Sequence, residues 1–224
     1  QLLRLLEPPT KRVKAIIDTD TFNEVDDQFA LVQALLSDDR IDVLSVHACP
    51  FQNNKSDSPG HGMELSYQEI IRVAEILGRR SHGFVYRGVA EYVGFSKEPQ
   101  SGDAVDHLVE LASTFSTDEP LYVVAIGAIS NVASAILREP KIVDRMVVVW
   151  LGGNAADWPS SFDPWAAFNL RQDVGGGQVL FDSGVPLVYV PTAGVSSHVL
   201  TTVPEIDTYV EPNGEIGAFL ARRF

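Results

Sequence analysis

The chain has 224 residues, 45% hydrophobic and 21% charged, which suits one globular domain and excludes a disordered or low-complexity protein. Its formal net charge is −13, and an acidic surface repels phosphate backbones and anionic lipid, so neither nucleic acid nor membrane is expected as a partner. The one cysteine, Cys49, excludes an intrachain disulfide and points to a reducing, cytoplasmic setting; the opening QLLRLLEPPTKRV lacks a signal-peptide pattern.

Apolar β-rich runs alternate with amphipathic runs along the chain. A strand is predicted at Val13–Ile17 and a helix from about Val25 to Leu36, where Val25, Phe29, Val32 and Leu36 recur at helical spacing. A second strand, Ile41–His47, leads into a polar loop, Pro50–Gly62, and a helix from about Glu64 to Leu77 stopped by Gly78. A short strand follows at Phe84–Tyr86 and a helix at Ala104–Ser113. Leu121–Ile126 is a buried strand, Asn131–Leu137 begins a helix, and Met146–Leu151 is a buried strand ending at Gly152-Gly153. The last predicted strand is Pro186–Val190. This alternation predicts an α/β fold: a mainly parallel open sheet with helices on both faces. No linker or repeat divides the chain, so residues 1–224 read as a single domain. Both ends read as cut, because GEIGAFLARRF is a helical pattern without a terminator.

The densest chemistry lies in IIDTDTFNEVDDQFA. Asp18, Asp20, Asp26 and Asp27, with Glu24, fall at a strand's C-terminal end and the next helix's first turn. Asp26 and Asp27 alone would read as first-turn acids favoured by the helix dipole. Five acids within ten residues repel one another unless a cation neutralises them, and hard cations such as Ca²⁺ and Mg²⁺ take such oxygen ligands.

Two families resemble this cluster. Asp18-Thr19-Asp20-Thr21 resembles the opening motif of haloacid-dehalogenase-like phosphatases, which implies Asp18 as nucleophile, Asp20 as acid/base and Mg²⁺. Asp18-x-Asp20 followed by Asp26-Asp27 resembles the calcium-dependent nucleoside hydrolases, in an Asn-Glu-x-Asp-Asp-Gln form whose gap is two residues longer than usual. Further blocks resemble the second family in the same order: CPFQNNKSDSPGHGMELSYQEI, VVAIGAISNVASAILREPKIVDRMVVVWLGG and WAAFNLRQDVGGGQVLFDSGVPLVYVP. The resemblance covers about Val13 to Pro204. It implies a Rossmann-like nucleoside hydrolase fold without the family's C-terminal part, and hydrolysis of the N-glycosidic bond of ribonucleosides to ribose and base.

The resemblance also implies residue roles. Asp20, Asp27 and the backbone carbonyl of Ile126 would bind Ca²⁺, with Asp20 also the general base. Asp26 and Asn169 would hold ribose hydroxyls; Asn53, Asn54 and Asn154 are further sugar-binding candidates, and Trp158 and Trp165 candidates for stacking on a base. The family's Glu-Phe-Asn reads Ala167-Phe168-Asn169 here, so one ribose ligand is replaced. No counterpart is found for the histidine that protonates the leaving base, and His198 is not assigned that role. A small nucleoside and a second copy of the chain are the expected partners. A non-catalytic member that binds a ribosyl ligand remains the third reading.

Overall fold

The structure, a computed structural model, describes residues 2–155 and 167–224. Six strands form one sheet in the order β3-β2-β1-β4-β5-β6: β1 (Val13–Thr19), β2 (Ile41–Ala48), β3 (Val85–Arg87), β4 (Leu121–Ala125), β5 (Met146–Leu151) and β6 (Leu187–Val190). Every neighbouring pair is parallel, as the alternation predicted. The chain first winds outward from β1 to β3, then returns to place β4 on the other side of β1. The order therefore reverses between β1 and β4, the place where open α/β sheets form a crevice beyond their strand ends.

The helices are α1 (Val25–Leu36), α2 (Pro59–Ile76), α3 (Asp103–Ser113), α4 (Ser130–Arg138), α5 (Phe168–Gln172), α6 (Val174–Asp182), α7 (Val203–Tyr209) and α8 (Gly214–Arg223). They cover both faces of the sheet. On one face α3, α4 and α6 pack Val105, Leu108, Val132 and Leu180 against Ile16, Val123 and Val148. On the other, α1, α2 and α8 pack Leu31, Leu35, Ile70, Val73 and Phe219 against Ile17 and Val46. Each such side chain stabilises the fold by roughly 1.5–3 kcal/mol on burial.

The boundaries depart from the predicted ones in informative places. β1 runs two residues further, to Thr19, so its polar end is still paired: Asp18 is in register with His47 of β2 and Ala125 of β4. α2 begins at Pro59, inside the predicted loop, because Ser58 caps it by accepting from the His61 N–H and Pro59 takes a first-turn position where no N–H is needed. α5 and α6 surround Asp173, whose side chain caps α6. A buried Glu69 on α2 ties α8 and α1 together, accepting from Arg223 (2.5 Å) and Gln28 (2.6 Å).

Candidate active site

The end of β1 alternates its side chains, so Asp18 and Asp20 point to one side of the sheet and Thr19 and Thr21 to the other. Thr19 Oγ1 donates to Asp27 Oδ1 (2.6 Å). That uses Thr19's only hydroxyl proton, so Thr21, 2.8 Å away, donates to Thr19. A short hydroxyl relay thus fixes Asp27 at the start of α1 against the end of β1. On the other side, Asn131 of α4 donates to Asp18 Oδ1 (2.7 Å) and to the Ala48 carbonyl (3.1 Å). Asn131 accepts in turn from the Val89 N–H (2.9 Å), which locks its amide.

Asp20, like Asp18, is buried, 1% exposed. Its Oδ2 accepts from Asn23 (2.9 Å); its Oδ1 is buried and has no hydrogen-bond partner among the described residues, as is Asp18 Oδ2. Gly127, just beyond β4, makes room for this carboxylate. A Cβ there would stand 2.6 Å from Asp20 Oδ1 and 2.3 Å from the Cys49 sulfur. Trp150 of β5 holds Gly127 in place by donating to its carbonyl (3.1 Å).

Burial raises the pKa of Asp18 to about 7, against the lowering effect of the Asn131 hydrogen bond. Burial also raises Asp20 to about 7, with Glu24 and Asp26 adding like charge. Asp27 is pushed well up by burial and then by the Asp20 charge, so the two carboxylates feel each other's charge. Burial and the surrounding aspartates likewise push the Cys49 thiol upward, which makes it an inert packing residue.

Above these groups lies a cavity of about 100 Å³ lined by Glu24, Asp26, Asp27, Ile126, Leu151, Phe168, Asn169, Thr192 and Ser196. Its walls come from the N-terminus of α1 and from the segments that follow β4, β5 and β6. Asp26, Asp27, Ile126 and Asn169 are therefore brought together, whereas Asp20 does not line the cavity and is linked to it through the charges of Asp26 and Asp27. Asn169 donates to the Ile126 carbonyl (2.7 Å) and the Leu151 carbonyl (2.9 Å). Both its amide hydrogens are used on main chain, so only its Oδ1 is left to face a ligand.

Three other candidates do not line this cavity. Asn53 turns its amide to Asn23 Oδ1 (2.7 Å), Asn54 is exposed, and Asn154 Oδ1 accepts from the Ala193 N–H (3.2 Å). Trp158 and Trp165 lie outside the described residues. His198 is exposed in a 3-10 turn. His47 is buried, its pKa lowered to about 3 by burial, and it pairs with His107 of α3 (3.0 Å) away from the cavity wall.

The donor set fits a hard cation. Asp20 and Asp27 are close, one Asp20 oxygen is buried and unpartnered, and the Ile126 carbonyl has a second lone pair. Among the described residues no three His, Cys, Asp or Glu side chains gather in metal-binding geometry, so this would be a site of two carboxylates and a main-chain carbonyl.

The sequence model described as inosine-uridine preferring nucleoside hydrolase matches residues 15–224. The chain belongs to that nucleoside hydrolase family. A pyrimidine-specific ribonucleoside hydrolase, RihB, of Escherichia coli strain K12 is 28% identical over 153 residues, covering 66% of this chain and 47% of that protein. The chain spans about half the length of the curated relatives it matches. In fold it resembles a purine-preferring ribonucleoside hydrolase from Gardnerella vaginalis (TM-score 0.73, 22% identity, 94% of this chain, 70% of that one). A nucleoside hydrolase from Bacillus anthracis is a more distant likeness (TM-score 0.59, 17% identity, 95% and 75%).

Membership in the nucleoside hydrolase family removes the phosphatase reading, and the geometry agrees. Asp18, the nucleophile of that reading, is 0% exposed and held by Asn131. Sequence reasoning missed three contributors to this candidate site: Asn23 and Lys55, which brace Asp20, and Asp173. Asp173 accepts from Ser130 Oγ (2.6 Å) and the N–H groups of Val93 (2.9 Å), Gly94 (3.0 Å) and Gly176 (2.8 Å). The Ser130-Asn131 pair of the Gly-x-x-Ser-Asn motif was the available signal. One residue anchors Asp173 and the other anchors Asp18.

Proposed function

We propose that this chain hydrolyses the N-glycosidic bond of ribonucleosides to ribose and free base, with Ca²⁺ as the cation. The observation that carries this reading is the buried Asp20 Oδ1, without a hydrogen-bond partner among the described residues, whose carboxylate feels the charge of Asp27 in the wall of a cavity shared with Asp26, Ile126 and Asn169. Family membership supports the reaction type. Asp20, Asp27 and the Ile126 carbonyl would hold the cation, and when bound it lowers the pKa of a water and orients a ribose diol.

The remaining steps belong to the protein. Asp20 Oδ1 is the proton acceptor: it is buried and free of hydrogen bonds among the described residues, so its lone pairs are available to a water's proton. Asp26 and the Asn169 oxygen accept from ribose hydroxyls across the cavity. Ala167, where the family has glutamate, is 3% exposed and offers no ligand, so the sugar is held by fewer groups. The same reading takes a small nucleoside as substrate and salvage of bases as the role. It also includes a cytoplasmic setting and a homo-oligomer. Among the described residues no helix is long and apolar enough to cross a membrane.

The test is to incubate the chain with Ca²⁺ and either nucleosides or phosphomonoesters, and to assay free ribose and inorganic phosphate. Ribose release is expected, with Asp20→Asn lowering it by about 10²–10⁴-fold through loss of the base. Asp27→Asn should abolish it together with calorimetric Ca²⁺ binding. Phosphate without ribose overturns the reading.

A further inference from the structure

Asn23 stands in the two-residue extension between Asp20 and the Asp26-Asp27 pair, and every polar group it has is engaged. Its N–H donates to the Asp20 carbonyl (2.7 Å), closing a tight turn. Its Nδ2 donates to Asp20 Oδ2 (2.9 Å). Its Oδ1 accepts from Asn53 Nδ2 (2.7 Å), and its carbonyl accepts from the Lys55 ammonium. The residue is 2% exposed.

The supporting loop is itself braced. The Lys55 N–H donates to Asn53 Oδ1 (2.9 Å), the Asn53 N–H to Ser56 Oγ (3.3 Å), and Ser56 Oγ to the Phe51 carbonyl (2.9 Å). An asparagine amide has one donor end and one acceptor end. Asn53 takes the acceptor end of Asn23, which forces the donor end onto Asp20. A hydrogen bond to an ionised carboxylate is stronger than a neutral one, so this contact decides which Asp20 oxygen stays free. Gly127, with no Cβ, leaves space for the other oxygen, Oδ1.

We propose that Asn23 is a positioning residue that aims the free Asp20 oxygen, and that Asn53 and Lys55 act on Asp20 only through it. This rests on the reading of Asp20 as base and cation ligand. It also gives Asn53 a role different from direct sugar binding.

The experiment uses Asn23→Ala, Asn53→Ala and Lys55→Met, singly, with each of the last two also combined with Asn23→Ala. Asn23→Ser serves if Asn23→Ala does not fold. Crystal structures, Ca²⁺ calorimetry and steady-state ribose release at saturating Ca²⁺ are compared with the parent. Asn23→Ala should turn the Asp20 carboxylate and lower both kcat and Ca²⁺ affinity by about 10–100-fold, the usual effect of losing a group that orients a ligand, while KM stays unchanged. The combined variants should be no worse than Asn23→Ala alone, because the second change removes a contact that no longer reaches Asp20.

Losses that add in the combined variants, or an Asn53→Ala effect confined to KM, overturn the proposal. So does a parental Asp20 orientation in Asn23→Ala with Ca²⁺ affinity unchanged. A parent chain that releases no ribose overturns the function reading instead, and the Asp20 orientation in the variant crystals still decides on Asn23.

Discussion

Gly127 shows how a single missing side chain shapes the site. The Trp150 indole fixes its carbonyl from one side, and Asp20 and Cys49 crowd its α-carbon from the other. None of these neighbours is the free end of a flexible exposed chain, so an added methyl must displace buried groups. Gly127→Ala is expected to destabilise the chain by about 1–3 kcal/mol, the range for overpacking a filled core. Denaturant unfolding measures that change. The same variant should lose ribose release, because the added methyl would stand 2.6 Å from the free Asp20 oxygen as well as against the Cys49 sulfur. Wild-type stability and turnover in Gly127→Ala would show that the carboxylate has room the geometry denies it.

At the scale of elements, Asp173 joins three parts of the chain, two of them distant from it in sequence. It caps α6, holds the start of α4 through Ser130, and gathers the N–H groups of Val93 and Gly94 beyond β3. It is 1% exposed, so removing its carboxylate strands several buried donors at once. A buried donor left unpaired costs about 1–3 kcal/mol, so Asp173→Ala is expected to lose about 3 kcal/mol or more. Asp173→Asn keeps one acceptor oxygen and should lose less. Unfolding midpoints for the two variants, in that order of severity, are the check. The α5–α6 segment also carries Asn169 into the cavity wall, so Asp173→Ala should raise KM as well.

The whole molecule stores an electrostatic cost at one edge of its sheet. The pKa of Asp18 and of Asp20 is about 7 in the folded chain against 3.8 for the free side chain, and Asp27 is raised as well. A raised acid holds its proton in the folded state after the unfolded chain has released it. Its contribution is therefore present below about pH 4 and is lost as pH rises through about 7. His47 acts oppositely: its pKa near 3 makes it favourable above the usual 6.5, and that contribution fades as pH falls. From about pH 6.5 upward the His47 contribution is complete and the raised carboxylates give a downward slope. Without Ca²⁺ the melting temperature is expected to fall from about pH 6.5 to 8 as these buried acids ionise. Ca²⁺ in excess should flatten that fall, since a ligand bound only by the folded state stabilises it and needs ionised carboxylates. Thermal melts with chelator and with Ca²⁺ across this range would show it; identical curves would exclude a cation at Asp20 and Asp27.

Periodicity and residue type were sufficient for the strands and for most helices, but not for the start of α2 or for α5, α6 and α7. The helix Val25–Leu36 and the strand Met146–Leu151 appear with the predicted bounds, because a repeating apolar pattern is a local property of the chain, but the buried face of α1 is Leu31, Val32 and Leu35 and the predicted Leu36 is 63% exposed. The clustering of Asp18, Asp20, Asp26 and Asp27 was also legible, since one strand end and the following helix carry them all. What the sequence could not show was pairing across long separations. Asn131 reaches Asp18 across 113 residues, and Asn53 reaches Asn23 across 30. Seen alone, an asparagine in a loop reads equally as a turn, a cap or a sugar ligand. Only the packing of β2 and α4 against β1 directs one amide to Asp18 and another, through Asn23, to Asp20. Hydrogen bonds require two groups within about 3 Å in a set orientation, and that geometry exists only once the sheet has formed.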